Sequence, residues 1–360
     1  MYMKNNENTS ATDLKNPSIN HPRQARIPAF KMAYLLIGFI FILGAAWLIS
    51  PKISAWLTPL SKVTIAVPTQ INSAPMIVAS AQGLFEKANV EVVTQPFLLG
   101  KDALKSVLDG KADLAVVADT PFMFAVFGGN DVVILACISQ GRRALAVVAH
   151  ADHGISKPQD LAGKSVGLTM GANFPYFLDA MLESNRVDSA SIKRVNLKTE
   201  ESITAFKAGA VDAVVVFQPY LAQLQIELGT KMQTFYAEDV YAFRFMLVGK
   251  PAYIDSHPEE VERILKALMM ANQAIRSDPE KARKQVGEVV KVDDAIMSKL
   301  FEPADYEISL DQAMLTALDD QTRWAMKQNI VKASPMPNYL NLLKYKNLEA
   351  VSPAAVRIVR

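Results

Sequence analysis

Gly163-Lys164-Ser165-Val166-Gly167-Leu168-Thr169-Met170-Gly171-Ala172-Asn173-Phe174-Pro175-Tyr176-Phe177-Leu178 reads as strand, glycine turn and helix. Val166 to Thr169 is short and partly β-branched, Gly171 permits a sharp turn, and Asn173 with Pro175 supplies a helix cap and a first-turn proline. A helix opened in this way directs bare N–H groups at whatever lies beyond the strand end.

The same syntax recurs three times. Val63 to Val67 leads into Gln70-Ile71-Asn72-Ser73-Ala74-Pro75, Leu114 to Ala118 into Asp119-Thr120-Pro121, and Ala213 to Phe217 into Gln218-Pro219-Tyr220. One such turn is ordinary α/β grammar, because a proline at the first helical position needs no ligand to explain it. Four together would line the crevice at the carboxyl ends of parallel strands, where open sheets bind ligands. Two of the turns share a longer unit, since Gly110-Lys111-Ala112-Asp113-Leu114-Ala115-Val116-Val117 matches Gly209-Ala210-Val211-Asp212-Ala213-Val214-Val215-Val216. The glycine would end a helix and the valines form a buried strand. Two similar α/β halves follow, with a ligand expected between them.

The chain has 360 residues, 50% of them hydrophobic, and a formal charge of +2, so it can bury a large core and gives nucleic acid no basic stripe to follow. Cys137, the single cysteine, lies in Val132-Val133-Ile134-Leu135-Ala136-Cys137-Ile138 and reads as a core residue. It can form no internal disulfide and no zinc cluster.

Residues 1–31 form a polar cytoplasmic segment, and Met1 to Pro28, without periodicity, reads as disordered. Met32 to Ile49 carries no charge and, at about 18 residues, reaches the lower limit for spanning a bilayer. Lys4, Lys15, Arg23, Arg26 and Lys31 precede it and only Lys52 and Lys62 follow closely, which places the body on the extracytoplasmic side of the cytoplasmic (inner) membrane. The run exceeds an ordinary secretory apolar core and has no comfortable cleavage site, so residues 32–50 read as an uncleaved transmembrane anchor and Ser50 to Leu60 as a tether.

From Lys62 strands and helices alternate. Lobe 1 is expected over 62–143, lobe 2 over 144–242, and a return to lobe 1 with C-terminal helices over 243–350. Ala144 to His150 and Tyr241 to Val248 are the candidate crossovers, and one helix is expected from Ala74 to about Lys87.

No catalytic machinery, cofactor motif or metal centre is legible. Gly163-Lys164-Ser165 precedes a strand and lacks the first glycine of a phosphate loop, whose place is taken by Pro158. His150-Ala151-Asp152-His153 reads as a loop of solvated polar residues, since no third ligand is indicated and no His-Glu-x-x-His helix or cysteine pair occurs. A Gly-x-Ser-x-Gly elbow is also absent.

The order of motifs resembles the substrate-binding proteins of ABC importers for nitrate, sulfonates, taurine and thiamine-pyrimidine precursors, a group sharing its fold with the yeast pyrimidine synthase. The resemblance rests on Ala79-Ser80-Ala81-Gln82-Gly83-Leu84-Phe85, Gly110 with Asp113, Ile155 to Gly167, and Gly209-Ala210-Val211-Asp212-Ala213 with Gln218-Pro219-Tyr220. It covers roughly Val63 to Leu343. It implies a type II periplasmic-binding-protein fold, two α/β lobes joined by two crossover strands that close on a small molecule, and a permease and an ATPase as partners.

The ligand-contacting loops then map onto the four turns. Gln70, Asn72, Asp119, Thr120, Asn173, Phe174, Gln218 and Tyr220 are the candidates, with backbone N–H groups at Asn173 and Thr120 holding an anionic group. Arg142 would add a full charge or stand as a solvated strand end, and Tyr241 would join the aromatic wall. Ala172 stands where many relatives place Ser or Thr, removing a hydroxyl contact. Two other readings stay open: an enzyme of pyrimidine or menaquinone precursor synthesis on the same fold, which a lone cysteine and an export segment disfavour, and a membrane-tethered sensor.

Overall fold

The valine-rich runs become strands because their side chains are buried on both faces and their backbone groups need ladder partners. In the computed structural model, which describes residues 62–332 and 335–359, they assemble into two five-stranded sheets. The expected disordered segment, anchor and tether lie outside the described residues. Among the described residues no helix is long and apolar enough to cross a membrane.

The first sheet contains β1 (Lys62–Pro68), β2 (Glu91–Phe97), β3 (Leu114–Ala118) and β4 (Val133–Gly141). The second contains β5 (Leu145–His150), β6 (Ser165–Leu168), β7 (Lys193–Asn196), β8 (Ala213–Phe217) and β9 (Met232–Phe235). The next strand, β10 (Phe243–Gly249), returns to the first sheet. The orders are β2-β1-β3-β10-β4 and β7-β6-β8-β5-β9. Each sheet therefore has three parallel strands, then one antiparallel strand, then an edge.

The antiparallel members, β5 and β10, are the segments expected as crossovers. They are built into the sheets instead of spanning between them, since runs so apolar need ladder partners on both sides. The passages between sheets are short and lie at residues 142–144 and 236–242. The edge strand β9 has no counterpart in the sequence reading.

Seven helices flank the sheets: α1 (Ala74–Ala81), α2 (Leu84–Lys87), α3 (Gly100–Leu108), α4 (Asp119–Phe127), α5 (Phe174–Ser184), α6 (Thr199–Lys207) and α7 (Tyr220–Leu228). The single helix expected over Ala74 to Lys87 is broken at Gln82-Gly83, giving α1 and α2. Six more follow: α8 (Pro251–Ser256), α9 (Pro258–Ser277), α10 (Pro279–Val290), α11 (Asp294–Leu300), α12 (Gln312–Lys327) and α13 (Tyr345–Val351).

The repeated Gly-x-x-Asp unit has the same physical role in both halves. Gly110 and Gly209 adopt left-handed φ values of +73° and +69°, a conformation that glycine reaches without Cβ strain, and so end α3 and α6. Three residues later the aspartate staples the neighbouring strand. Thr64 N–H donates to Asp113 Oδ2 at 2.7 Å and Ser165 N–H donates to Asp212 Oδ2 at 2.8 Å. The aspartate N–H groups donate back to Thr64 O at 2.9 Å and Ser165 O at 3.1 Å.

Burial on the second sheet alternates with period two. Leu145, Val147, Ala149, Ala213, Val215 and Phe217 face a core continuous with the first sheet, whereas Ala146, Val148, Val214 and Val216 pack with Phe206, Leu221 and Leu224 in a core of their own. The long helix α12 packs on both α4 and α5, and so touches both halves.

Candidate functional site

At the carboxyl ends of the parallel strands the starts of α3, α4 and α5, the turn Ile71–Ser73 before α1 and the residues before α7 meet around one recess. Its polar lining is Gln70, Asn72, Lys101, Asn173 and Gln218, and its apolar walls include Phe174, Phe217, Phe243 and Phe245. Its volume is 20 Å³, room for about one water molecule.

Three of the prolines that open these helices are displaced from the expected first position, whereas Pro75 stands second in α1, which starts at Ala74 as expected. Pro175 is second in α5, Pro121 is third in α4, and Pro219 precedes α7 across a cis Gln218–Pro219 bond. All four sites tolerate proline because helix starts lack intrahelical partners for their N–H groups. Asn173 precedes α5 as expected, yet its side chain makes no capping bond. Asn173 lines the recess, and its buried Nδ2 faces the Tyr241 hydroxyl without completing a full hydrogen bond. Gln70 Nε2 donates to Leu98 O at 2.7 Å, Asn72 O accepts from Ser139 Oγ at 2.7 Å, and Gln218 Oε1 accepts from Ala222 N at 3.2 Å.

Asp119, Thr120 and Tyr241 stand behind the recess and do not line it. Tyr241 donates its hydroxyl to Asp119 Oδ1 at 2.7 Å, and Thr120 N–H donates to the same oxygen at 3.0 Å. That N–H, expected on a ligand, is thus taken by the neighbouring side chain. Burial drives the Asp119 carboxyl above its usual range, against the pull of Arg244 and the Tyr241 hydrogen bond. Asp119 also faces the buried Gln321 amide, and Thr120 Oγ1 is buried without a partner. Tyr220 lines neither this recess nor the space beside it; it packs edge-on to Phe217 at 5.3 Å.

A larger cavity of 640 Å³ adjoins the recess and shares Asn72, Ala144 and Gln218 with it. Arg142 belongs here and donates to the Glu238 carbonyl. Arg143, which stacks over Tyr236 at 4.7 Å, and Lys299 add positive charge, whereas Glu238, Glu302 and Asp305 add negative charge. Burial, with Glu302 nearby, pushes the half-buried Asp305 carboxyl up to about 6.

Sequence reading missed Lys101, whose ammonium donates to Met170 O at 3.1 Å across the two halves. Leu98-Leu99-Gly100-Lys101 has no proline or capping residue, so α3 shows no start signal before Asp102. Gly100 offered one clue: a Cβ there would sit 3.0 Å from Val117 Cα, so the close approach of α3 to β3 requires glycine.

A family model described as "NMT1/THI5 like" matches residues 70–282, more than half of the chain, and these residues carry most of the recess. The chain belongs to the NMT1/THI5-like family. A relative from Bacillus subtilis (strain 168), named for aliphatic sulfonates, is 24% identical over 212 residues, 58% of this chain. That match spans 64% of the relative, just under two thirds of its length. The taurine-binding periplasmic protein of Escherichia coli (strain K12) is 24% identical over 235 residues, covering 64% of this chain and 72% of that one. Among solved structures, the periplasmic aliphatic sulphonate binding protein from Escherichia coli superposes with a TM-score of 0.69 at 17% identity, over 79% of this chain and 92% of that one. At that identity the likeness establishes the fold, which is the periplasmic-binding-protein α/β fold with two sheet lobes.

Proposed function

We propose that this NMT1/THI5-like protein is the extracytoplasmic solute-binding component of an ABC importer, and that it captures a small organic anion of the sulfonate class between its lobes. It acts with a permease and an ATPase and carries out no chemistry on its ligand. The observation carrying this reading is a recess ringed by helix starts and lined by Lys101 and Asn173, whose buried Nδ2 makes no full hydrogen bond within the protein. A buried donor without a partner costs about 1–3 kcal/mol, and an anionic acceptor removes that cost. Each helix start adds typically about 0.3–1 kcal/mol toward an anion, and the Lys101 ammonium supplies a full charge nearby.

The phenylalanine walls favour an organic ligand over bare nitrate, and the names of the relatives point the same way. The uncharged run Met32 to Ile49 with its basic flank supports export and an uncleaved anchor at the extracytoplasmic face of the membrane. The full-length protein, titrated in a thermal-shift assay with taurine, alkanesulfonates, nitrate and pyrimidines, is expected to respond to sulfonates. A ligand at 100 times its dissociation constant adds about 2.7 kcal/mol. A response to pyrimidines alone overturns the sulfonate class, and no response from any anion overturns the recess as an anion site.

A further inference from the structure

His150 ends β5, and Ala151–His153 form a single 3-10 turn closed by Gly154. This turn brings His150, Asp152 and His153 together so that one donor atom from each lies within 4.8 Å of the others. Leu145, at the other end of β5, lines the recess, and five strand steps of about 3.3 Å put the cluster roughly 17 Å away from it. The cluster is separate from the ligand site.

The partners of the two imidazoles decide its chemistry. His150 Nε2 lies 2.6 Å from Phe206 O, and His153 Nδ1 lies 2.8 Å from Asp212 Oδ1. A carbonyl or carboxylate oxygen only accepts, so both ring nitrogens carry the proton and donate it. Each neutral ring is left with one lone pair: Nδ1 on His150, 3.9 Å from Asp152 Oδ1, and Nε2 on His153. Metal-ligating histidines are oriented in this way, with the remote N–H held by a carbonyl or carboxylate.

The groups that orient the two rings are themselves held in place. Asp212 is stapled to Ser165 through its other oxygen, at 2.8 Å from the N–H and 2.7 Å from the hydroxyl. The His150 ring packs against Phe206, centroids 4.0 Å apart and planes tilted by 30°. The two imidazole centroids are 4.7 Å apart, close to the separation of roughly 5 Å that two rings take on one tetrahedral ion with bonds of about 2.0–2.1 Å. Asp152 is exposed. The Lys164 ammonium is engaged by the His153 carbonyl at 2.7 Å.

We propose that His150, Asp152 and His153 bind a zinc ion at the end of the second lobe remote from the ligand, with water completing a tetrahedral N₂O set. Two imidazoles and one carboxylate suit zinc and other borderline divalent ions. They do not suit magnesium or calcium, which take oxygen ligands. The sequence showed only two histidines with an aspartate between them; the orienting partners, Phe206 and Asp212, are more than 50 residues away.

Full-length protein stripped with a chelator is titrated calorimetrically with zinc chloride and, separately, magnesium chloride. One equivalent of zinc is expected to bind and magnesium to give no heat. His153→Ala and, independently, Asp152→Asn are expected to weaken zinc at least tenfold, with circular dichroism unchanged. Cobalt(II) is expected to give visible absorption bands of a tetrahedral site, lost in His153→Ala. Zinc binding that persists undiminished in both folded variants marks an adventitious ion only and overturns the site, as does the absence of binding to the wild type.

Discussion

Asn173 is the residue on which the recess depends most directly, because its buried Nδ2 has only the Tyr241 hydroxyl nearby and makes no full hydrogen bond. Asn173→Leu is expected to weaken a sulfonate ligand at least tenfold, about 1.4 kcal/mol, by calorimetry, with the melting temperature retained. Unchanged affinity in the folded variant would move the site away from the start of α5. Lys101 was invisible in the sequence, whereas Gln70, Asn72, Asn173, Phe174 and Gln218 were legible there, each sitting in a strand-to-helix turn marked by proline. The pairing of Tyr241 with Asp119 was not legible, since it joins positions 122 residues apart. Asp305 gives a second test at this scale. Its folded pKa of about 6 is raised from 3.8, so between those values the native state keeps a proton that the unfolded chain has lost. Its contribution to stability therefore falls as pH rises through this window. Asp305→Asn is expected to flatten that decline in melting temperature; parallel curves for variant and wild type would show that Asp305 does not titrate there.

Among the elements, α12 has the most consequential contacts. Trp324 on this helix meets Phe124 of α4 at 6.3 Å and Tyr176 of α5 edge-on at 5.2 Å. Its indole N–H donates to buried Asp179 Oδ2 at 2.8 Å, while Arg194 and Ser189 hold the other carboxylate oxygen. One side chain thus straps the two halves together. Trp324→Phe keeps most of the packing and removes the donor, at an expected cost of about 1.5–3 kcal/mol, the range for a hydrogen bond to a charged group. Urea denaturation measures it, and a loss below about 0.5 kcal/mol would show that the remaining partners of Asp179 compensate. The strand elements were readable because valine runs buried on two faces leave an unmistakable pattern. The four-residue edge strand β9 and the start of α3 carry no comparable local signal.

For the whole molecule, a 20 Å³ recess admits about one water, so a ligand larger than that enters only if the lobes part. Solution scattering is expected to show a smaller radius of gyration when a sulfonate is added to the ligand-free protein. An unchanged radius would assign ligand entry to side-chain movement within the outer cavity. The likeness of the two halves was legible in the repeated glycine and aspartate unit. A return of the chain to the first lobe near Tyr241 was also expected; the pairing of β5 and β10 inside the sheets was not, because it depends on which strand each run finds as a neighbour.

The return of β10 to the first sheet also sets an order of events on the ribosome. Every strand of the second sheet lies between Leu145 and Phe235, but β4 of the first sheet has β10 as its neighbour. Domains ordinarily fold in the order in which they emerge. Here the lobe begun first must wait, with its β3 and β4 edges unpaired, until Gly249 has been synthesised, while the lobe encoded inside it already has all its strands. A nascent chain arrested when Glu238 has just left the ribosomal exit tunnel, with β10 still inside it, is therefore expected to yield a protease-resistant fragment from the second lobe and a digestible first lobe. In this protein the beginning of the message specifies the part of the molecule that is finished last.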